Sequence, residues 1–313
     1  MKINHVGGVI AAASKKDALP LLQVGSISIV KRLVISFQQA GIFPIVIVTG
    51  TDEEEVKYQL SGYGVIFIRN ENWEQPELFD SVKIGLRYLQ NKCERVVFTP
   101  VNVPMVTAKT LRALLSAEGA VVTPAHQGQS GHPIVISEEA IPEILAFQGT
   151  GGLRAAIGSM SLQRTVIPVD DPGVLISIHN SRQLEERLAE HNQTLLHPML
   201  QLSLQKESTF FNTRIRLLLY LIYDTHSVRS ACSCMTLSYG KAWNMLNKLE
   251  EEMGFRLVER RHGGSRGGNT TLTPEGIRFL RTWMQFEEEV FCFAQSRFSE
   301  LFFGGEQDGE EKQ

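Results

Sequence analysis

Between residues 256 and 281 six arginines, Arg256, Arg260, Arg261, Arg266, Arg278 and Arg281, stand against only Glu259 and Glu275. That leaves a local charge of +4 on a chain whose formal net charge is −3. Inside this stretch lies the glycine-rich run His262–Gly268, HGGSRGG. Glycine lets a backbone approach a phosphate closely, and guanidinium and imidazole groups supply donors. Just upstream, Ala242, Leu246, Leu249 and Met253 recur at helical spacing. They leave Tyr239, Lys241, Asn244, Asn247 and Lys248 on the remaining face. Donors of this kind suit base edges and phosphates in a major groove. Alone, the same face is equally consistent with a solvated helix surface, but the basic hairpin beside it favours the groove. The candidate DNA contacts are Ser238, Tyr239, Lys241, Asn244, Lys248, Arg260, Arg261, His262 and Arg266.

The elements that must position these groups follow from periodicity. Phe210–Tyr223 and Ser227–Cys234 are predicted helices, Met235–Leu237 the turn, and Ser238 the cap of a third helix, Tyr239–Met253. Phe255–Arg261 and Asn269–Leu272 read as a hairpin. Three helices followed by a basic hairpin make a winged helix-turn-helix. Thr273-Pro274-Glu275 then opens a long helix, with a cap, a proline at the first helical position and an acid in the first turn. Along it Phe279, Trp283, Phe286, Val290 and Phe293 form an aromatic stripe. A homodimer interface is the favoured reading of that stripe, with packing on the N-terminal half as the other. Cys232 and Cys234 form a C-x-C pair with no His or Cys nearby and are read as ordinary helix residues.

At 313 residues two domains are the natural expectation. In the N-terminal half strand-like runs alternate with helices. Val6–Ala12, Pro44–Thr49, Val65–Ile68, Arg95–Thr99 and Gly119–Thr123 are apolar and rich in β-branched residues. Ile27–Ala40, a helix capped by Thr51, Leu78–Leu89 and Thr107–Ser116 lie between them. The expected fold class is α/β: a Rossmann-like three-layer, mostly parallel sheet, followed by a mainly α winged helix-turn-helix. The expected domains are 1–196, a linker at 197–208, the DNA-binding part at 209–303 and a disordered acidic tail at 304–313. No apolar run approaches the roughly 20 residues that span a bilayer, and no secretory signal is recognisable. With four cysteines, a reducing, cytoplasmic location is expected.

SVRSACSCMTLSYGKAWNMLNKLEEEMGFRLVERRHGGSRGGNTTLTPEG resembles the DNA-binding domain of the bacterial molybdate-responsive repressors, relatives of the LysR-type winged helices. The resemblance implies a dimer on palindromic double-stranded DNA, with Tyr239–Lys248 in the groove and the Arg266 loop as wing. In that family a molybdate-binding domain lies downstream; here any sensor is expected upstream.

GGVIAAAS (Gly7–Ser14), LPLLQVG (Leu19–Gly25), AGIFPIVIVTG (Ala40–Gly50), VVFTPVNVPMV (Val96–Val106), GHPIVIS (Gly131–Ser137) and GTGGLRAAI (Gly149–Ile157) resemble, in order, the nucleotidyltransferases that attach CMP or GMP to molybdopterin. The resemblance implies that Ala11, Ala12, Ala13, Ser14, Lys15 and Lys16 bind nucleotide. It also puts His132 on the pterin side. Mg²⁺ with CTP or GTP would be the family's cofactors. The chain departs from the pattern at the chemistry. Ala13 replaces a glycine, the loop's arginine is absent and Leu19 falls at the lysine position. Asn102 stands where a metal-binding aspartate belongs. Gly149-Thr150 replaces Gly-Asp, and Ser177-Ile178-His179-Asn180 replaces the final Asp-x-Asp-Thr; Asp170 and Asp171 remain, with Asp171 a candidate metal ligand. The expectation is a transcriptional regulator whose inactive nucleotidyltransferase-like domain senses a pterin or nucleotide. Its targets would be molybdenum cofactor or molybdoenzyme genes. The alternative is a Mg-dependent molybdopterin cytidylyltransferase or guanylyltransferase that also binds DNA.

Overall fold

The computed structural model describes residues 6–13, 19–72, 77–178, 181–198, 200–261 and 269–303. The chain divides into two compact units, Met1–Leu195 and Leu196–Gln313. The first runs β1 (Val6–Ala11), β2 (Gln23–Val24), β3 (Ile27–Ser28), α1 (Ile29–Gln39), β4 (Ile45–Thr49), α2 (Glu53–Leu60), β5 (Ile66–Arg69), α3 (Leu78–Leu89), β6 (Arg95–Pro100), α4 (Ala108–Ser116), β7 (Val121–His126), β8 (Gln129–Ser130), β9 (Ile134–Ser137), α5 (Ala140–Ala146), α6 (Gly152–Ser159), β10 (Arg164–Pro168) and α7 (Ser181–Thr194).

The main sheet has the order β10-β7-β9-β6-β1-β4-β5, with β8 paired to β7. β1 runs parallel to both β4 and β6, while β9 runs antiparallel to β6 and β7. β1 shows why the strands read as unbroken apolar runs. Gly8 lies against Phe37 and Ile42, and Ile10 shares a core with Leu33 and Phe37 of α1; Gly7 lies against Leu89 and Cys93, and Val9 against Gly85 of α3. Both faces are covered, so both sets of alternate residues must be apolar. A Cβ at Gly85 would stand 2.3 Å from Val9 Cγ1, so glycine is what lets α3 sit this close to the sheet. α2 begins at Glu53 after Asp52, not under a Thr51 cap, and Asp52 makes no side-chain capping bond.

The second unit runs β11 (Leu204–Gln205), β12 (Thr209–Phe211), α8 (Thr213–Thr225), α9 (Val228–Met235), α10 (Tyr239–Met253), β13 (Val258–Arg261), β14 (Asn269–Leu272) and α11 (Pro274–Phe303). Phe210 and Phe211 belong to β12 and not to the first helix. Asn212 ends the strand and caps α8, its Oδ1 accepting from Arg214 N (3.1 Å) and Ile215 N (3.2 Å). β11 pairs antiparallel with β12, so Leu204–Gln205 of the expected linker forms part of this unit.

The aromatic stripe of α11 divides in two. Phe211, fully buried, meets Phe279 at 5.0 Å and Trp283 at 4.8 Å, both edge-on, and Trp283 is only 5% exposed. Arg216 pairs with Glu287 one turn further on. Phe279 and Trp283 therefore hold α11 to its own domain, a correction to their expected place in a dimer contact; the strand that covers them was read as helix. Beyond them Phe286 is 47% and Phe293 71% exposed, and Val290 is half-buried. Among the described residues no helix is long and apolar enough to cross a membrane.

Candidate functional site

Connections from β1 lead to β4 and β5 on one side and, through α3, back to β6 on the other. In such sheets ligands bind outside the carboxyl ends of the strands where the order reverses. Here that point lies between β1 and β6. Ala12 N donates to Val48 O (2.8 Å) and Val101 N to Ala11 O (3.0 Å), so the segments after β1 and β6 leave the sheet side by side. Ala11 and Ala12 are buried and Ala13 half-buried at this edge. Ser14, Lys15 and Lys16 lie outside the described residues.

Asn102 sits in the turn after β6. Its carbonyl accepts from Ile178 N (3.0 Å), while its side-chain Oδ1 is buried and has no hydrogen-bond partner among the described residues. β9 runs antiparallel to β6, which brings the preceding His132 to the same edge. His132 N donates to Val174 O (2.9 Å), and its ring stands edge-on to Phe98 at 5.8 Å. Its Nδ1 is enclosed and unpartnered among the described residues, and desolvation lowers its pKa to about 4. At neutral pH it is an uncharged imidazole able to donate once and accept once.

Asp171 is only 6% exposed and its carboxylate is already engaged. Oδ2 accepts from Thr107 N (3.1 Å), Thr107 Oγ1 (2.9 Å) and Thr110 Oγ1 (2.6 Å), and Oδ1 accepts from Gly173 N (2.9 Å). It braces the loop after β10 against the N-terminus of α4, where a helix dipole favours negative charge. Mg²⁺ requires carboxylate-rich oxygen donors. With an amide at Asn102 and Asp171 so engaged, the described residues do not fit a carboxylate-held magnesium. Among them no group of three or more His, Cys, Asp or Glu is placed to hold a metal ion.

A second network gave no sequence signal. Arg32 of α1 is 1% exposed. It donates to Val24 O (2.5 Å), Asn192 Oδ1 (2.9 Å) and His191 Nδ1 (3.0 Å). A guanidinium only donates, so Nδ1 of His191 accepts and Nε2 carries the proton, which faces Val106 O at 3.3 Å. Burial, with Arg32 adding to it, lowers the His191 pKa to about 4. α7 is thereby fastened to the Val101–Val106 segment that bears Asn102. Arg32 in an amphipathic helix and His191 in a polar run look like surface residues, and only the pairing makes their burial tolerable.

In the second unit Ser238 caps α10, accepting from Lys241 N (3.4 Å). Ala242, Leu246 and Leu249 are buried, and Tyr239, Lys241, Asn244, Asn247 and Lys248 are exposed. Lys248 is partly engaged within the domain: its Nζ donates to Ser208 Oγ (2.7 Å) and Thr209 O (3.3 Å). Glu250 Oε1 accepts from Leu257 N (2.7 Å) and Val258 N (2.9 Å), and so sets the wing strands against α10. Thr273 Oγ1 donates to Arg256 O (2.8 Å) and accepts from Gly276 N (2.9 Å). Thr273 N donates to Leu257 O (2.9 Å). Arg260 lies in β13; Arg261 ends that strand, and His262 and Arg266 lie outside the described residues. Sequence reasoning passed over Trp243, whose ring carries the Arg260 guanidinium 3.6 Å from its centroid.

The molecule thus joins a nucleotidyltransferase-type α/β domain to a DNA-binding winged helix. Residues 17–165 match the MobA-like NTP transferase domain, and residues 216–277 match the bacterial regulatory helix-turn-helix protein, lysR family. The molybdenum transport protein ModE of Herbaspirillum seropedicae is 33% identical over 100 residues, 32% of this chain and 35% of that protein. The chain therefore spans about a third of the length of the curated relative it matches. Among solved structures, a nucleotidyl transferase from Methanothermobacter thermautotroptrophicus aligns with a TM-score of 0.53 at 20% identity, covering 59% of this chain and 98% of that one. The 4-diphosphocytidyl-2C-methyl-D-erythritolsynthase from Anaerococcus prevotii gives 0.51 at 13% identity, covering 61% and 100%. At these identities the likeness establishes the fold of the first unit.

Proposed function

We propose that this chain is a transcriptional regulator in which the winged helix reads double-stranded DNA as a homodimer and the nucleotidyltransferase-like domain binds a controlling ligand. The observation that carries the reading is a contrast between the two units. In the second, cap, wing support and exposed donor face are all assembled. In the first, an amide stands at the switch point and the buried carboxylate of Asp171 is spent on a structural brace. A site with the enclosed Asn102 Oδ1 and a neutral His132 suits a ligand that offers hydrogen-bonding edges, as a pterin or nucleobase does. The likeness of 100 residues of this chain to a protein named for molybdenum transport supports a target among molybdenum enzyme or cofactor genes.

Fluorescence anisotropy of labelled DNA from upstream of this chain's gene tests the reading. Binding that weakens steeply with salt, and shifts when molybdopterin, CTP or GTP is added, supports it. Salt-sensitive DNA binding indifferent to all three removes the sensor; no DNA binding removes the regulator. The match of residues 17–165 to a transferase domain favours one rival, nucleotidyl transfer to molybdopterin. Pyrophosphate release with CTP or GTP, abolished by Asn102→Ala, would establish it.

A further inference from the structure

Four side chains on three elements form a continuous row on the exposed side of the winged helix. Arg229 of α9 lies with its guanidinium carbon 6.0 Å from the Tyr239 ring centre, and Tyr239 meets Trp243 edge-on at 6.1 Å. Trp243 in turn carries Arg260 of β13 at 3.6 Å. Tyr239 and Trp243 are four residues apart on α10, one turn along a single flank. Tyr239 is 50% exposed, and both arginines are exposed. Neither guanidinium has a carboxylate partner among the described residues, so each retains its full charge for something outside the domain.

A guanidinium stacked on an aromatic face engages only its π surface. All five N–H donors lie in its own plane and stay free for a planar, bidentate acceptor. Stacking also fixes a long side chain that would otherwise lose rotamer freedom on binding. The cations stand at either end of an aromatic pair on the helix that presents Asn244, one from the helix-turn-helix and one from the wing. We infer that Trp243 is a positioning residue that holds Arg260 ready for a phosphate of double-stranded DNA, with Tyr239 edge-on beside it and Arg229 at the outer reach of the Tyr239 ring. Trp243 thereby acts on affinity through Arg260 and reads no base itself. The inference rests on the DNA-binding reading of this unit.

The test is fluorescence anisotropy of the full chain with a labelled duplex from upstream of its own gene and with a random-sequence duplex, each over a series of KCl concentrations. Trp243→Leu is expected to weaken both by about fivefold and to lower the slope of log affinity against log salt by up to about one, as for a lost phosphate contact. Arg260→Gln should do the same, and the double variant little more, because the residues act as a unit. Trp243→Phe keeps a ring face and should recover most of the affinity. Arg260→Lys folds with its charge intact, yet should bind more weakly because an ammonium lacks the stacked fork. Wild-type affinity and slope in Trp243→Leu, or losses from Trp243→Leu and Arg260→Gln that multiply in the double variant, overturn the inference. Should Trp243→Leu fail to fold, wild-type affinity in Arg260→Lys overturns it equally. A wild-type chain that binds neither duplex overturns the DNA-binding reading instead.

Discussion

Replacing Glu250 should loosen the wing without touching any of the proposed DNA contacts. Its Oε1 accepts from two backbone donors, Leu257 N at 2.7 Å and Val258 N at 2.9 Å. Leu257 is fully buried and Val258 5% exposed, so water cannot readily replace the carboxylate. Glu250→Ala leaves two enclosed N–H groups without a partner. Each such loss costs about 1–3 kcal/mol, which puts the variant about 2–6 kcal/mol below wild type. Glu250→Gln keeps an acceptor oxygen but trades charge-assisted bonds for neutral ones, and should lose only about 1 kcal/mol. Hydrogen-exchange mass spectrometry of a peptide spanning 255–261 reads the effect locally. Protection should collapse in the alanine variant and persist in the glutamine variant, while peptides of β1 and β6 stay unchanged. Denaturant unfolding followed by tryptophan fluorescence supplies the free energy. An alanine variant within about 0.5 kcal/mol of wild type, the usual range for a neutral surface change, would refute the reasoning.

Three further outcomes follow from the same geometry. Gly276→Ala puts a Cβ 2.4 Å from Leu257 O, a backbone atom that cannot swing aside. It should lower stability by about 2 kcal/mol despite raising helix propensity, read as a fallen denaturation midpoint. On α11, Trp283→Ala should destabilise the domain by about 3–5 kcal/mol, whereas Phe286→Ser with Phe293→Ser should leave the melting temperature nearly unchanged and shift sedimentation equilibrium toward monomer; an unaltered mass at all concentrations argues against dimerisation through this face. His191 and His132 both titrate near 4 in the folded chain, below the usual 6.5. Between those values the unfolded state holds the extra proton, so stability falls as pH drops from about 6.5 to about 4. The loss is up to roughly 3 kcal/mol per group and should shrink in His191→Asn.

What the sequence revealed tracks how local the responsible physics is. Leu78–Leu89, Tyr239–Met253 and Asn269–Leu272 were bounded as the structure has them, because each ends on its own turn or cap. Phe210 and Phe211 were drawn into a helix because apolar periodicity runs through them. The strand depends on pairing with Leu204 and Gln205 of a short hairpin just upstream, which the helical period running on from Phe210 conceals. α7 escaped notice because its Ser181–Thr194 sequence is polar and is held by Arg32, 159 residues before His191. At the carboxyl edge of the sheet the residue types at 102 and 171 were legible. The occupation of Asp171 by Thr107 and Thr110 was not, since it joins segments some 60 residues apart. Of the row from Arg229 to Arg260, Tyr239 and Arg260 were singled out in the sequence, while Arg229 and Trp243 were not.

The joint at Leu257 has a mechanical side. One carbonyl accepts the Thr273 N–H and lies against the Gly276 α-carbon, so the root of the wing and the first turn of α11 share a fixed point. From there α11 runs 30 residues, about 45 Å of rigid rod. A rod clamped at one end is a lever: a tilt of about 5° at the joint sweeps its far end through about 4 Å. Read in reverse, a displacement of several ångströms at Phe293 or beyond arrives at the wing as a small, geometrically scaled rotation. Such a joint would convert coarse movement at the end of the helix into fine adjustment at the root of the wing.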